Sequence, residues 1–201
     1  MKGSLTLNLL VPIFAIFFCF AVVAFVVIAI IVYNALVALK HNITKAWANI
    51  DVILKQRYDE IPNLVQVCEQ YANYETATIQ KIMETRQRMV SGKSQQEKMD
   101  ASNELSAALG SLLAIGEAYP ELKANENFLQ LQYRLSDLEN TLADRREFYN
   151  DSVTLYNIRI KQFPDVFLAK HLGYTEEVLF KVSKHELTPP SLKMKLDIHK
   201  K

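Results

Sequence analysis

Glycine and proline are the scarce residues of this chain, with 5 and 6 among 201. Few turns can be built from so few, and none of the six prolines interrupts the interior of a long periodic run. The composition excludes a turn-rich β architecture and a low-complexity linker, and it suits helices joined by few connections. Cysteine is nearly absent as well. Cys19 lies in an apolar run and Cys68 in a polar one, so no intramolecular disulfide is expected and the redox compartment is not defined. Charge of one sign is also lacking: 23 basic residues face 22 acidic ones, a net charge of +1. No global field draws the chain to nucleic acid or to an acidic substrate.

Chemical motifs are missing too. His41, His171, His185 and His199 are scattered and form no His-Glu-x-x-His pair. There is no glycine-rich phosphate loop and no Gly-x-Ser-x-Gly elbow. Cys68 stands on an apolar face without a neighbouring histidine, the setting of a core thiol rather than a nucleophile. No catalytic residue, cofactor or metal site is expected.

What is present is a run of 24 residues without a charge, Leu9–Val32. At 1.5 Å per residue it spans about 36 Å, enough to cross a bilayer with some tilt. It is longer than a signal-peptide core and ends in Ile and Val instead of small cleavage residues, so it reads as an uncleaved anchor. Tyr33 follows at an interfacial position. Orientation is a tie under the positive-inside rule: Lys2 and the terminal amine precede the run, Lys40 and Lys45 follow it. The lean is to a cytoplasmic N-terminus with the soluble part on the outer face.

Beyond the anchor the apolar positions recur in steps of three and four. Leu36, Leu39, Ile43, Trp47, Ile50, Leu54 and Ile61 mark one buried helix face. Pro62 is expected to end that helix and start the next. The second helix runs to Ser91-Gly92. Ser94 and Glu97 form a capping box for the third, which Tyr119-Pro120 closes. Asn125 caps the fourth and longest, whose core runs from Phe128 to Ile160. A strict heptad from Phe128 would put Arg145, Ser152 and Arg159 in the seam, which favours ordinary bundle packing over a supercoil. Short helical or extended pieces follow Phe163-Pro164.

The reading is therefore all-α: an N-terminal transmembrane helix followed by an antiparallel up-down bundle of four long helices. Its divisions are a short tail over 1–8, the span over 9–32, the bundle over 33–183 and a flexible lysine-rich tail over 184–201. The path brings Phe163–Phe180 and that tail back towards the headgroups. Arg145 and Arg146 are read as solvated, or paired with Glu139, Asp144 or Glu147 on their own helix.

Three blocks carry a family resemblance. The first runs from Tyr33 through Ala46-Trp47, Asp51 and Arg57 to Pro62-Asn63 and Val65. The second is Leu113–Gln132, with Glu117, Tyr119-Pro120, Asn125 and Asn127. The third is Glu139–Asn150, with Arg145-Arg146 and Tyr149, followed by Tyr156-Asn157 and Phe163-Pro164. Together they resemble the bacterial LemA family over about residues 33–173; Gly116 departs from the usual Ala or Val, and the tail after Ser183 is outside the resemblance. It implies a single-pass bacterial membrane protein with an antiparallel helical bundle, and no established catalytic residue. Some relatives are associated with making specialised internal membranes.

The blocks meet the expected turns at Pro62-Asn63 and Tyr119–Asn127. A candidate partner surface is therefore Pro62, Asn63, Glu117, Tyr119, Pro120, Asn125 and Asn127, set against the plainer reading that these residues shape turns. Two functions follow. One is a membrane-anchored scaffold or interaction protein in the bacterial inner membrane, in contact with the bilayer and with further copies or other membrane proteins, but not nucleic acid. The other is an envelope enzyme or accessory with Glu117, Tyr119 and Asn125 in a cleft.

Overall fold

The structure is a computed structural model that describes residues 2–71, 76–116 and 119–181. Its elements are α1 (Lys2–Tyr71), α2 (Thr76–Ser91), α3 (Gln95–Gly116), α4 (Pro120–Lys123), α5 (Glu126–Arg159) and α6 (Asp165–His171). The all-α class is what the chain adopts: the apolar N-terminal helix runs directly into further helices, with no strand among the described residues. The lysine-rich tail lies outside the described residues. Two compact units are formed: the chain up to Ile50 with Arg145–Leu179, and Asp51–Asp144 with the chain from Phe180.

The first unit holds the anchor. Among the described residues α1 supplies the single stretch long and apolar enough to cross a membrane, with a mean hydropathy of 3.3 and only 6% of its most apolar window buried by the chain itself. A soluble core helix of that hydropathy would be covered by protein. Burial begins at Val32 and continues through Leu36, Ile43, Ala46 and Ile50. These pack in a unit with Tyr149, Val153 and Tyr156 of α5, Ile160 just after it, and Ala169 of α6. Trp47, expected in the core, is half-buried and meets the Tyr149 ring edge-on at 5.8 Å. Arg159 pairs with the buried Asp165 of α6, beyond a cis Phe163–Pro164 peptide. Gly173, at φ 69°, closes α6: its N–H bonds Lys170 O at 3.2 Å and the Tyr174 N–H bonds Ala169 O at 2.9 Å. This is the paired closure a left-handed residue permits.

The second unit corrects the expectation at Pro62. Helix α1 does not stop there but continues to Tyr71, and the interruption before α2 falls on residues 72–75. Proline 62 has no N–H to give the carbonyl of Tyr58, one turn earlier, and a mid-helix proline costs about 3 kcal/mol. Two features offset it. The Arg86 Nε–H of α2 donates to Tyr58 O at 3.0 Å, filling the vacancy, and the guanidinium lies 3.6 Å from the centroid of the Tyr58 ring. Ile61, Leu64 and Val65, on both sides of the proline, are buried. Each such side chain contributes about 1.5–3 kcal/mol when fully buried, so their sum exceeds the cost of the break.

Helix α3 begins with the expected cap, displaced by one residue. The Glu97 N–H donates to Ser94 Oγ at 3.1 Å, but Glu97 Oε2 accepts from the Lys93 N–H at 2.8 Å, not from Ser94. Arg57, which interrupts the apolar pattern, is fully buried. Its Nη2 lies 2.8 Å from Glu139 Oε2 and 3.2 Å from Ser106 Oγ, and Ser106 in turn bonds Glu139 and the Ser102 carbonyl. Glu139 thus links α5 to α1. Arg145 is exposed, whereas Arg146 is buried and not solvated.

The Arg86 contact predicts a non-additive pair. In the full chain held in detergent micelles, Arg86→Ala should lower unfolding stability by about 1–2 kcal/mol. In a Pro62→Ala background, where residue 62 regains its N–H, the same change should cost clearly less. Equal costs in both backgrounds, measured by denaturant titration of the helical signal, would refute the assignment.

Candidate functional site

The second unit carries all the described members of the expected partner surface, in three kinds of position. Pro62 is inside α1, half-buried, and Glu117 lies outside the described residues. Tyr119, Pro120 and Asn125 form the α3–α5 connection. Pro120 is the first residue of α4, Tyr119 is its exposed cap residue, and the Tyr119 carbonyl accepts from the Lys123 N–H at 3.0 Å. Asn125 Oδ1 accepts from the Phe128 N–H at 3.0 Å, so it caps α5 as read from the sequence. These three shape the turn.

Asn63 and Asn127 behave differently: the fold brings them together. Both line a shallow groove of about 230 Å³ with Gln66 and Val67 of α1 and Gln130, Leu131 and Arg134 of α5. Positions 63, 66 and 67, and 127, 130, 131 and 134, each follow the three-and-four spacing of one helix face. Sequence reading missed Gln66, Gln130 and Arg134, although that spacing, applied to polar instead of apolar residues, would have found them. Arg134 is held by Glu60 at 3.2 Å. The floor is apolar at Val67 and Leu131, and four carboxamides ring it.

Carboxamides donate and accept at once, so this groove suits hydrogen bonding to a polypeptide surface. It has no carboxylate pair and no nucleophile. Its volume is below the 300–1,000 Å³ usual for small-molecule sites. Cys68 is buried, and burial first, then the neighbouring Glu69 carboxylate, pushes its thiol up to about 11. At neutral pH it is protonated and inert. Among the described residues no three His, Cys, Asp or Glu side chains gather as metal ligands do.

A second polar constellation lies in the first unit, around Tyr174–Leu179 after α6. This segment has no regular structure, and side chains of α5 bond its backbone. Asn157 makes a two-way pair with Glu177: its Nδ2–H donates to Glu177 O and its Oδ1 accepts from the Glu177 N–H, both at 2.9 Å. The Tyr156 hydroxyl donates to Thr175 O and the Tyr149 hydroxyl to Val178 O, each at 3.1 Å. Burial, then the Glu177 charge, pushes the Tyr149 phenol up to about 12, so it stays a donor throughout the neutral range. Lys40 of α1 pairs with the Glu177 carboxylate.

The model of the LemA family matches residues 46–194. The chain belongs to the LemA family. The match contains all seven residues of the expected surface and the whole groove; it begins later than the resemblance read from the sequence blocks and extends past Ser183 into the tail read as outside the family. This LemA-family chain is also similar to the magnetosome protein MamQ of Magnetospirillum gryphiswaldense, 24% identical over 180 residues, 77% of this chain and 66% of the relative. Magnetosome proteins MamQ 2 and MamQ 1 of Paramagnetospirillum magneticum are each 24% identical over 186 residues, 80% of this chain and 68% of theirs. The chain thus spans about two thirds of the length of these relatives. Family and apolar helix together make it a membrane-associated protein.

The two kinds of position separate experimentally. Asn125→Ala should cost about 1 kcal/mol of stability, the worth of a helix cap. Asn63→Ala and Asn127→Ala, at exposed groove positions, should each stay within about 0.5 kcal/mol. Denaturation of the three variants checks this, and a large loss at either groove residue would make it a structural residue too.

Proposed function

We propose that this protein is a non-enzymatic scaffold of the bacterial inner membrane, anchored by α1 and binding protein partners through the groove between α1 and α5. The observation that carries the reading is the groove: two helix faces present carboxamides around an apolar floor, in a volume too small for a typical metabolite. Such a surface recognises another polypeptide, either a further copy of the chain or another membrane protein. The names of the relatives, as magnetosome proteins, support a part in organising a membrane. We further assign the two units to the outer face, with the N-terminus in the cytoplasm.

Photo-crosslinking in intact cells tests the scaffold. A photoreactive residue at Gln130 should give discrete protein adducts, and adding Asn63→Ala with Gln66→Ala should reduce them several-fold. No adduct at Gln130, or stoichiometric tight metal on the purified full chain, would sink the reading.

The side of the membrane is tested separately. Ser94 holds the α3 cap, so Lys93, exposed beside it, is the better probe. With Cys19→Ala, and Cys68 left in place because its buried thiol is inert, Lys93→Cys should react with an impermeant maleimide in intact cells. Labelling only after lysis would reverse the assignment.

A further inference from the structure

The first unit exposes an aromatic corner where the lipid span ends. Phe163 and Phe167, on either side of the turn into α6, are 81% and 68% exposed, and their rings meet edge-on at 5.9 Å. Leu172 at the end of α6 is exposed beside them in sequence. Single exposed apolar residues are ordinary on a protein surface, but an edge-to-face aromatic pair on a tight corner is a concentrated apolar patch.

Its level along α1 follows from two contacts. Trp47 meets Tyr149, and Lys40 Nζ lies 5.4 Å from the centroid of the Tyr156 ring. Seven residues back along α1 correspond to seven forward along α5, so the helices are antiparallel. Helix α5 ends at Arg159, three residues past Tyr156 and so level with about residue 37 of α1, three back from Lys40, and Phe163 lies in the turn just beyond, on the side that leads back to Tyr33. Burial agrees: residues 12–31 of α1 are exposed except the half-buried Ala24 and Ala29, and the first buried residues are Val32 and Leu36. The corner therefore stands beside the point where the charge-free run gives way to polar sequence.

We propose that the corner formed by Phe163, Phe167 and Leu172 inserts into the interfacial layer of the bilayer next to the anchor, giving the first unit a second hold on lipid. Aromatic rings are favoured at that depth, where an apolar body meets a wet edge. The surrounding charges are mixed. Lys161 is paired with Glu176 at 2.7 Å, and Lys170 and His171 lie in the last turn of α6. Apolar insertion, not attraction to anionic headgroups, is then the driving term, and zwitterionic lipid suffices. Residues close to the span in space but far in sequence become part of the anchor. The inference rests on the anchor and not on the groove or its partner.

The full chain, reconstituted in vesicles of phosphatidylcholine brominated high on its acyl chains, provides the test. In a Trp47→Phe background, Phe163→Trp and Phe167→Trp each report the corner. Phe148→Trp reports an exposed α5 position about 16 Å back along the helix from its end at Arg159, at 1.5 Å per residue. Phe25→Trp reports the span. Helical circular dichroism and an unreactive Cys68 confirm folding of each variant. The corner tryptophans should emit at shorter wavelength and be quenched several-fold more than Phe148→Trp, with Phe25→Trp also quenched. Corner quenching no greater than at Phe148→Trp, with Phe25→Trp quenched, overturns the proposal while leaving the anchor intact. A blue-shifted but unquenched corner means a protein cover and equally overturns it. An unquenched Phe25→Trp overturns anchor and corner together.

Discussion

A proline at position 62 leaves Tyr58 with a carbonyl that α1 cannot bond for itself, and Arg86 of α2 bonds it instead. Much of the second unit depends on this substitution of a side-chain donor for a backbone one. If α1 stopped at Pro62, Leu64, Val65 and Cys68 would no longer extend the buried face that Leu54 and Ile61 begin. The groove would go as well, because Asn63, Gln66 and Val67 line it only as successive positions of one helix. The guanidinium over the Tyr58 ring adds attraction without consuming the donor. The contact therefore links a backbone defect, the packing of α1 and α2, and the surface offered to a partner.

Legibility in the sequence follows the range of the interaction. The apolar steps at Leu36, Ile43, Ile50, Leu54 and Ile61 identify a buried face because helix periodicity is local, and all five are buried. Asn125 is readable as a cap for the same reason: donor and acceptor are three residues apart. Pro62 is misread because the local rule is sound but the compensating donor lies 28 residues away. Arg57 looks like an interruption for a similar reason. Its partners Ser106 and Glu139 come from α3 and α5, and only tertiary structure brings them near. Arg146 is buried where its neighbour Arg145 is exposed, a difference of helix phase that the doublet hides. Asn63 and Asn127 are readable in the sequence as members of a candidate partner surface at expected turns; they share a groove because α1 is continuous.

The same constraint, that backbone polar groups need partners, takes another form after α6. Tyr174–Leu179 has neither helix nor strand to bond its carbonyls. Asn157, Tyr149 and Tyr156 do so from α5, and Asn157 reads both an N–H and a carbonyl of Glu177. A single amide making that paired contact fixes the register of an extended segment more firmly than apolar contact could, because a shift by one residue would reverse donors and acceptors. The two tyrosines set its distance from the helix. Sequence patterning has no signal for such a segment, since its order is written in the helix it lies on.

Arg86 at Tyr58 and Asn157 at Glu177 show why the polar residues of this family member are more informative than its apolar ones. Apolar periodicity specifies that helices form and which face they bury, but many sequences would satisfy it equally well. A donor aimed at one carbonyl does not tolerate that freedom: moved by a residue, it leaves two groups unbonded instead of none. The polar contacts are therefore what choose one register among the packings the apolar face allows. Once they are assigned, the polar residues left at the surface without such a task stand out. The carboxamides around Val67 and Leu131 are of that kind, and their order on two helix faces is not required by the folding of either helix. That order is the physical basis on which a partner surface is proposed at the groove.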